Sequence, residues 1–281
     1  MPSKNLIFSI SMFLTWIGLL YLSICSIAFL FNLWLKNSVT FTKQEAANLR
    51  EKKFLIIGAG FSGLAVGYFF KKFKLNFLIV DRAEEIGGTW FLNRYPGAAV
   101  DVPSFLYQYS FFTKKDWPES YNNSSELFRY LKSFVKWAGL EENVCLKTSV
   151  ENCHWNEDRK LWEVEFSKSE GKSSVENFDW TIVCTGSFNE PNKPKFKDQG
   201  DFSGKIVHTG EWPKDLNVVG KRVAVIGSGS SASQTVMKSI NFFLQNLLGS
   251  GSARRGSTRS RSISTNSWIY RPSMAAVQNS N

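Results

Sequence analysis

A chain of 281 residues has room for one large or two ordinary domains, and its 43% hydrophobic content, with 24 Phe and 10 Trp, excludes a disordered or fibrous class. The 34 basic against 24 acidic residues give a formal net charge of +10, but no basic helix or aromatic-basic platform accompanies that charge, which argues against nucleic acid as a partner. Cys25, Cys145, Cys153 and Cys184 form no Cys-x-x-Cys pair, and His154 beside Cys153 cannot complete a tetrahedral site, so a disulfide scaffold, a dithiol redox centre and a zinc site drop out.

Between Lys4 and Lys36 the chain carries no charged residue. At 1.5 Å per residue this run exceeds the ~30 Å hydrocarbon core of a bilayer. A membrane anchor over 1–40 is therefore expected, because the apolar region of a cleaved signal peptide is only about 7 to 15 residues long. Lys36, Lys43, Arg50, Lys52 and Lys53 outnumber Lys4 across the span, and the positive-inside rule then puts the body in the cytoplasm. The endoplasmic reticulum is the membrane expected. Asn122-Asn123-Ser124-Ser125 contains two formal glycosylation sequons, which a cytosolic body leaves unused.

Phe54-Leu55-Ile56-Ile57 reads as a buried parallel strand feeding into Gly58-Ala59-Gly60-Phe61-Ser62-Gly63. A helix is expected from Leu64 to Phe73, then a strand from Asn76 to Val80 ending at Asp81. The spacing assigns each glycine a task. Gly58 makes the tight turn, Gly60 lets backbone approach a pyrophosphate, and Gly63 lets the helix pack closely on the strand. Asp81, about 20 residues on, is placed to accept hydrogen bonds from a ribose.

Further along stand Gly87-Gly88-Thr89-Trp90 and the run from Arg94 to Asp101, then Cys184-Thr185-Gly186, then Phe202-x-Gly204-x-x-x-His208-x-x-x-Trp212-Pro213. Five fixed residues in the last pattern, each at roughly one in twenty usage, put a chance match near ~10⁻⁷ per position. A second strand signature, Arg222 to Ile226, then runs into Gly227-Ser228-Gly229-Ser230-Ser231-Ala232, where alanine at the third position is an accepted variant. Two dinucleotide units in one chain suggest a flavin and a nicotinamide cofactor. After a helix-like stretch from Ser233 to Leu248, the sequence turns Ser/Arg-rich with no following strand expected, and 249–281 reads as a disordered tail.

From about Lys53 to Asn241 these features resemble the class B flavoprotein monooxygenases, and within them the type I Baeyer-Villiger monooxygenases more than the flavin-containing monooxygenases. Gly87 to Asp101 matches [A/G]-G-x-W-x-x-x-x-[F/Y]-P-[G/M]-x-x-x-D, Phe202 to Pro213 matches F-x-G-x-x-x-H-x-x-x-W-[P/D], and Cys184 replaces the alanine of a linker motif Ala-Thr-Gly. The resemblance implies that Gly58, Gly60, Phe61, Ser62, Gly63 and Asp81 hold the adenosine diphosphate of FAD, with Gly87, Gly88, Thr89 and Trp90 approaching its flavin and ribityl parts. It implies that Asp101 is the active-site aspartate, partner of a catalytic arginine, and that Gly227, Gly229, Ser230 and Ala232 cradle the NADPH pyrophosphate. His208 falls in the family's interdomain linker.

By the same resemblance the expected reaction is reduction of FAD by NADPH, reaction with O₂ to a C4a-peroxyflavin, and oxygen insertion beside a ketone carbonyl. The alternative is oxygenation of a soft nitrogen or sulfur. The fold expected is α/β, with a Rossmann-like FAD-binding domain over 50–195 and the start of an incomplete Rossmann-like NADP-binding domain over 196–248. The family's catalytic arginine and the returning part of its FAD domain lie beyond the point where the pattern stops. The chain is thus expected to be truncated, which leaves open a catalytically inactive, FAD-binding membrane protein.

Overall fold

The computed structural model describes residues 42–168, 171–218, 221–249 and 274–278, from 240 onward the backbone alone. The membrane anchor expected over 1–40 lies outside the described residues, among which no helix is long and apolar enough to cross a membrane. The chain divides into two units, Met1–Glu51 and Lys52–Asn281. In the first, helix α1 (Lys43–Glu51) starts with a reciprocal cap. Thr42 N–H donates to Glu45 Oε2 at 2.8 Å, and Glu45 N–H donates to Thr42 Oγ1 at 3.2 Å.

In the second unit, strand β1 (Lys53–Ile57) is apolar on both faces because both are covered. It pairs in parallel with β2 (Asn76–Val80), from Lys53 opposite Asn76 to Ile57 opposite Val80, and on its other edge with β7 (Trp180–Val183). The short β3 (Val144–Cys145) adds beyond β2, giving the order β3-β2-β1-β7. Helix α2 (Phe61–Lys72) makes the crossover between β1 and β2. It starts at Phe61 rather than Leu64, because the last residues of the glycine loop already form its first turn.

Between β3 and β7 the chain forms an antiparallel meander of β4 (Thr148–Asn156), β5 (Leu161–Lys168) and β6 (Ser173–Phe178). Val164, Phe166 and Phe178 of the meander pack on Leu55 and Val80 of the parallel sheet. Each such buried side chain contributes about 1.5–3 kcal/mol. Helix α4 (Ser124–Ala138) buries Leu127, Tyr130, Leu131 and Phe134. Its N-cap is Asn123, whose side chain accepts from Glu126 N–H at 3.0 Å. Asn122 of the first sequon is buried, its amide donating to Ser104 Oγ at 2.8 Å and to the Glu119 carbonyl at 2.5 Å. Its nitrogen is already committed to the fold.

The second dinucleotide unit departs from expectation in one respect. Strand β9 (Arg222–Ile226) and helix α5 (Ser230–Gly249) form where the sequence puts them, the helix again three residues early. No parallel neighbour of β9 occurs among the described residues. It belongs instead to a sheet β8-β10-β9, in which β10 (Met274–Gln278) lies antiparallel between β8 (Lys205–His208) and β9. This corrects the expectation that no strand follows the helix. The unpaired backbone groups of β8 and β9 need partners, and the uncharged run Met274-Ala275-Ala276-Val277-Gln278 supplies them. The rest of 249–281, called disordered from its composition, lies outside the described residues apart from Gly249 at the end of α5.

Candidate functional site

The first fingerprint folds as its spacing requires. Gly58 has a φ of +110° and lies so close to β7's continuation that a Cβ there would sit 2.4 Å from the Cys184 carbonyl oxygen. Gly63 packs its Cα against the turn itself, a Cβ falling 1.8 Å from the Gly58 oxygen. Gly60 precedes α2 with no side-chain cap, so the first-turn N–H groups of the helix remain available to an anion.

Asp81 ends β2 beside this turn. Its Oδ2 accepts from Ala59 N–H at 2.7 Å and its Oδ1 from Ala83 N–H at 2.9 Å. Each carboxylate oxygen keeps a further lone pair for a ribose hydroxyl. Gly87 N–H donates to the Ala59 carbonyl at 2.8 Å. Gly88 lies against Gly60, a Cβ on Gly88 coming within 3.1 Å of the Gly60 Cα. The two motifs, 28 residues apart in the sequence, therefore form one continuous surface.

That surface continues into the short helix α3 (Thr89–Leu92). Trp90 Nε1 donates to the Tyr107 hydroxyl at 3.3 Å, and Tyr107 meets the Phe61 ring edge to face at 4.9 Å. Phe61 proves to be an anchor of α2. Its ring packs on Tyr107, Tyr109 and Tyr130, and its carbonyl accepts from the Tyr109 hydroxyl at 2.6 Å. Burial pushes the Tyr109 hydroxyl far above the usual tyrosine range, so it stays a donor. Ser62 and Thr89 are exposed at the starts of their helices.

Asp101 is exposed, and its Oδ2 accepts from Ser230 Oγ at 3.0 Å. The structure thereby joins the aspartate of the first long motif to the first turn of the second dinucleotide helix. In that second loop Gly227 has a φ of +127°, Ala232 is buried, and a Cβ on Gly229 would meet nothing within 4 Å. Open space beside Gly229 is what an approaching pyrophosphate needs.

The two long motifs also meet. Trp212 and Val207 pack with Tyr95 and Ala98 in one buried cluster. His208 caps the turn that follows, its Nδ1 accepting from Gly210 N–H at 3.0 Å. Burial holds its imidazole below the usual histidine pKa, Glu211 opposing the shift and Lys193 adding to it. Sequence reasoning missed Gln234. It lies on the face of α5 that carries Ser230, and the four-residue spacing between them was the available signal. A cavity of about 620 Å³ lined by Phe105, Gln108, Lys114 and Trp117 shares no residue with the glycine loops, Asp81, Asp101 or the 202–213 motif, and the chemistry points to those.

Residues 51–267 match the model of the flavin-binding monooxygenase-like family. Among relatives, a Baeyer-Villiger monooxygenase of Pseudooceanicola batsensis is 36% identical over 187 residues, covering 65% of this chain and 34% of that protein. A phenazine N-monooxygenase of Lysobacter antibioticus is 34% identical over 190 residues, covering 65% of this chain and 34% of that protein. A cyclohexanone monooxygenase from Rhodococcus sp. Phi1, solved bound to NADP+, superposes with a TM-score of 0.60 at 33% identity, over 68% of this chain and 36% of that one. The chain thus spans about a third of the length of the relatives it matches. With the family model covering the body from before β1 to past α5, the chain belongs to the flavin-binding monooxygenase-like family.

Proposed function

We propose that this chain binds FAD at its first fingerprint and NADPH at its second, and serves a monooxygenase that inserts one oxygen atom of O₂ beside a ketone carbonyl. The observation that supports this most is the contact of Gly60 with Gly88. It makes one surface of the pyrophosphate loop, Trp90 and the path to Asp101. FAD, when bound, supplies the electron relay from NADPH to O₂. The chain's own residues do the rest. The start of α2 receives phosphate, and Asp81 orients the ribose. Trp90, Tyr107 and Phe61 form an aromatic wall that excludes water. Asp101, exposed beside Ser230, offers its charge to a cationic group at the flavin.

Two further readings have specific support. Similarity to a phenazine N-monooxygenase favours oxygenation of a soft nitrogen. The antiparallel setting of β9, with no parallel neighbour among the described residues, favours FAD binding without turnover. Residues 1–40 we assign as the anchor that holds the body on the cytoplasmic face of the endoplasmic reticulum.

The test is purification of the full chain from membranes in detergent, after an alkaline carbonate wash that leaves an anchored protein in the pellet. Flavin absorbance, its bleaching by NADPH, and lactone formation from a cyclic ketone are then measured. Bound flavin that NADPH does not bleach sinks both oxygenation readings and leaves the FAD-binding one. An amine oxide in place of a lactone selects the nitrogen reading.

A further inference from the structure

Helix α5, which opens the second dinucleotide unit, turns one face towards the motif that carries Asp101. Ser230 and Gln234 share that face. Ser230 Oγ donates to Asp101 Oδ2 at 3.0 Å. The Tyr95 hydroxyl donates to Gln234 Oε1 at 2.8 Å, and Gln234 Nε2 donates to the Ala99 carbonyl at 3.0 Å. Between these contacts the backbones nearly touch, since a Cβ on Gly97 would lie 2.6 Å from the Gln234 carbonyl oxygen. Tyr95 is buried, which raises its pKa and keeps its hydroxyl a donor, although Ser231 opposes the shift. Gln234 thus works as acceptor and donor at once, a pair of roles that neither a carboxylate nor an apolar side chain fills.

We propose that Ser230 and Gln234 are positioning residues that clamp the segment from Tyr95 to Asp101 onto α5, so that filling the second dinucleotide site resets Asp101. Ser230 is the first residue of a helix whose N-terminus is polarised to receive a pyrophosphate. An arriving anion competes with Asp101 for the Ser230 hydroxyl and repels its carboxylate. Gln234, one turn deeper, keeps Tyr95 and Ala99 in place, so only the aspartate end of the segment moves. Occupancy of one nucleotide site is thereby relayed to a carboxylate of the other. The relay rests on the second fingerprint being a nucleotide site; the clamp does not.

Two measurements on the purified full chain separate these claims. Without cofactor, amide hydrogen exchange is followed at Ala98 and Val100, whose N–H groups bond to the Tyr95 and Asn122 carbonyls. Gln234→Ala, which removes both hydrogen bonds, is expected to speed their exchange about tenfold or more, at about threefold to tenfold for each bond lost. Gln234→Glu, which keeps the acceptor for Tyr95 alone, should fall between. Strands β4 and β5 serve as the internal reference for a folding defect. Exchange that is unchanged relative to that reference in both variants overturns the clamp.

With FAD bound, NADP+ is then titrated and the flavin difference spectrum recorded. Ser230→Ala, whose lost hydroxyl also weakens NADP+ binding, is compared at saturating NADP+, where it should lose at least about half of the spectral change, and Ser230→Thr, which retains the hydroxyl, should restore it. A full spectral change in Ser230→Ala overturns the relay. Failure of the wild-type chain to take up FAD or NADP+ strikes the proposed function and with it the relay, while the exchange measurement still decides the clamp.

Discussion

The Asp81 carboxylate accepts the Ala59 N–H at 2.7 Å, which fastens the end of β2 to the turn that follows β1. The same group carries the ribose assignment, so a substitution there has two separable effects. Ala59 is fully buried, and Asp81→Ala strands its N–H at a cost of about 1–3 kcal/mol. Asp81→Asn keeps one acceptor oxygen and can hold Ala59 while giving up Ala83. The expected order of thermal midpoints is wild type, then Asp81→Asn, then Asp81→Ala, with FAD affinity reduced about tenfold or more in both variants. An alanine variant that melts with the wild type shows that the contact is idle.

The third glycine of the first fingerprint and the second glycine of the other should respond oppositely to alanine. At Gly63 the new Cβ lies 1.8 Å from a backbone oxygen, and backbone cannot step aside as a flexible side chain does. Gly63→Ala should cost about 3 kcal/mol or more, or fail to fold. At Gly229 the new methyl enters open space, so stability should change by no more than about 0.5 kcal/mol. That methyl stands where a pyrophosphate must approach, so NADP+ affinity should fall about tenfold or more. Denaturant unfolding and a nucleotide titration of each variant check the pair. An unchanged NADP+ affinity in Gly229→Ala removes the second cofactor from this loop.

What the sequence made legible, and what it did not, follows from the range of the forces involved. Gly58, Gly63 and Asp81 act on backbone within one βαβ unit, and such local demands leave a fixed spacing. The strands Asn76–Val80 and Arg222–Ile226 form as read, because their apolar runs are bounded by turn residues. The meeting of Trp212 with Tyr95 was not legible, since it joins residues more than a hundred positions apart. Strand β10 was missed for a related reason. Its pairing satisfies open edges of β8 and β9, a need that belongs to those strands and leaves no mark within Met274–Gln278. The ring contacts of Phe61 with Tyr107, Tyr109 and Tyr130 were not legible either, because they lie on segments distant in sequence.

Trp212 is 7% exposed and packs on Tyr95, Ala98 and Val207. Replacing a buried tryptophan by alanine costs about 3–5 kcal/mol. Here the loss falls on the contact between the two long motifs, so Trp212→Ala should loosen the Tyr95 segment as well as lower the melting point. Trp212→Phe, which refills most of the volume, should recover the larger part. Protease susceptibility around Tyr95, compared with that of the β4–β5 hairpin, distinguishes local loosening from general unfolding. Equal susceptibility in both regions assigns Trp212 to global stability alone.

His208 gives the body a pH dependence whose sign can be worked out. Its Nδ1 accepts the Gly210 N–H, which fixes the proton of the neutral ring on Nε2. Protonation turns Nδ1 into a donor facing a donor and removes the cap. Nε2 is buried with no hydrogen-bond partner among the described residues, so burial weighs against the charged ring and is the largest cause of its lowered pKa. Lys193 adds to the lowering and Glu211 opposes it, the two being ion-paired with each other. The unfolded chain, with histidine near its ordinary value of about 6.5, therefore takes up the proton first as pH falls. Stability from this group is full above that value and declines as pH drops from it towards the folded-state pKa. His208→Asn supplies a capping oxygen that does not titrate. Near pH 8 the variant and the wild type should melt at similar temperatures, and between about pH 6.5 and 5 the wild type should lose ground to the variant. Carboxylates titrate in both proteins, so the difference between the two melting curves isolates the imidazole. Curves that stay parallel across that range would show that His208 does not couple protonation to this fold.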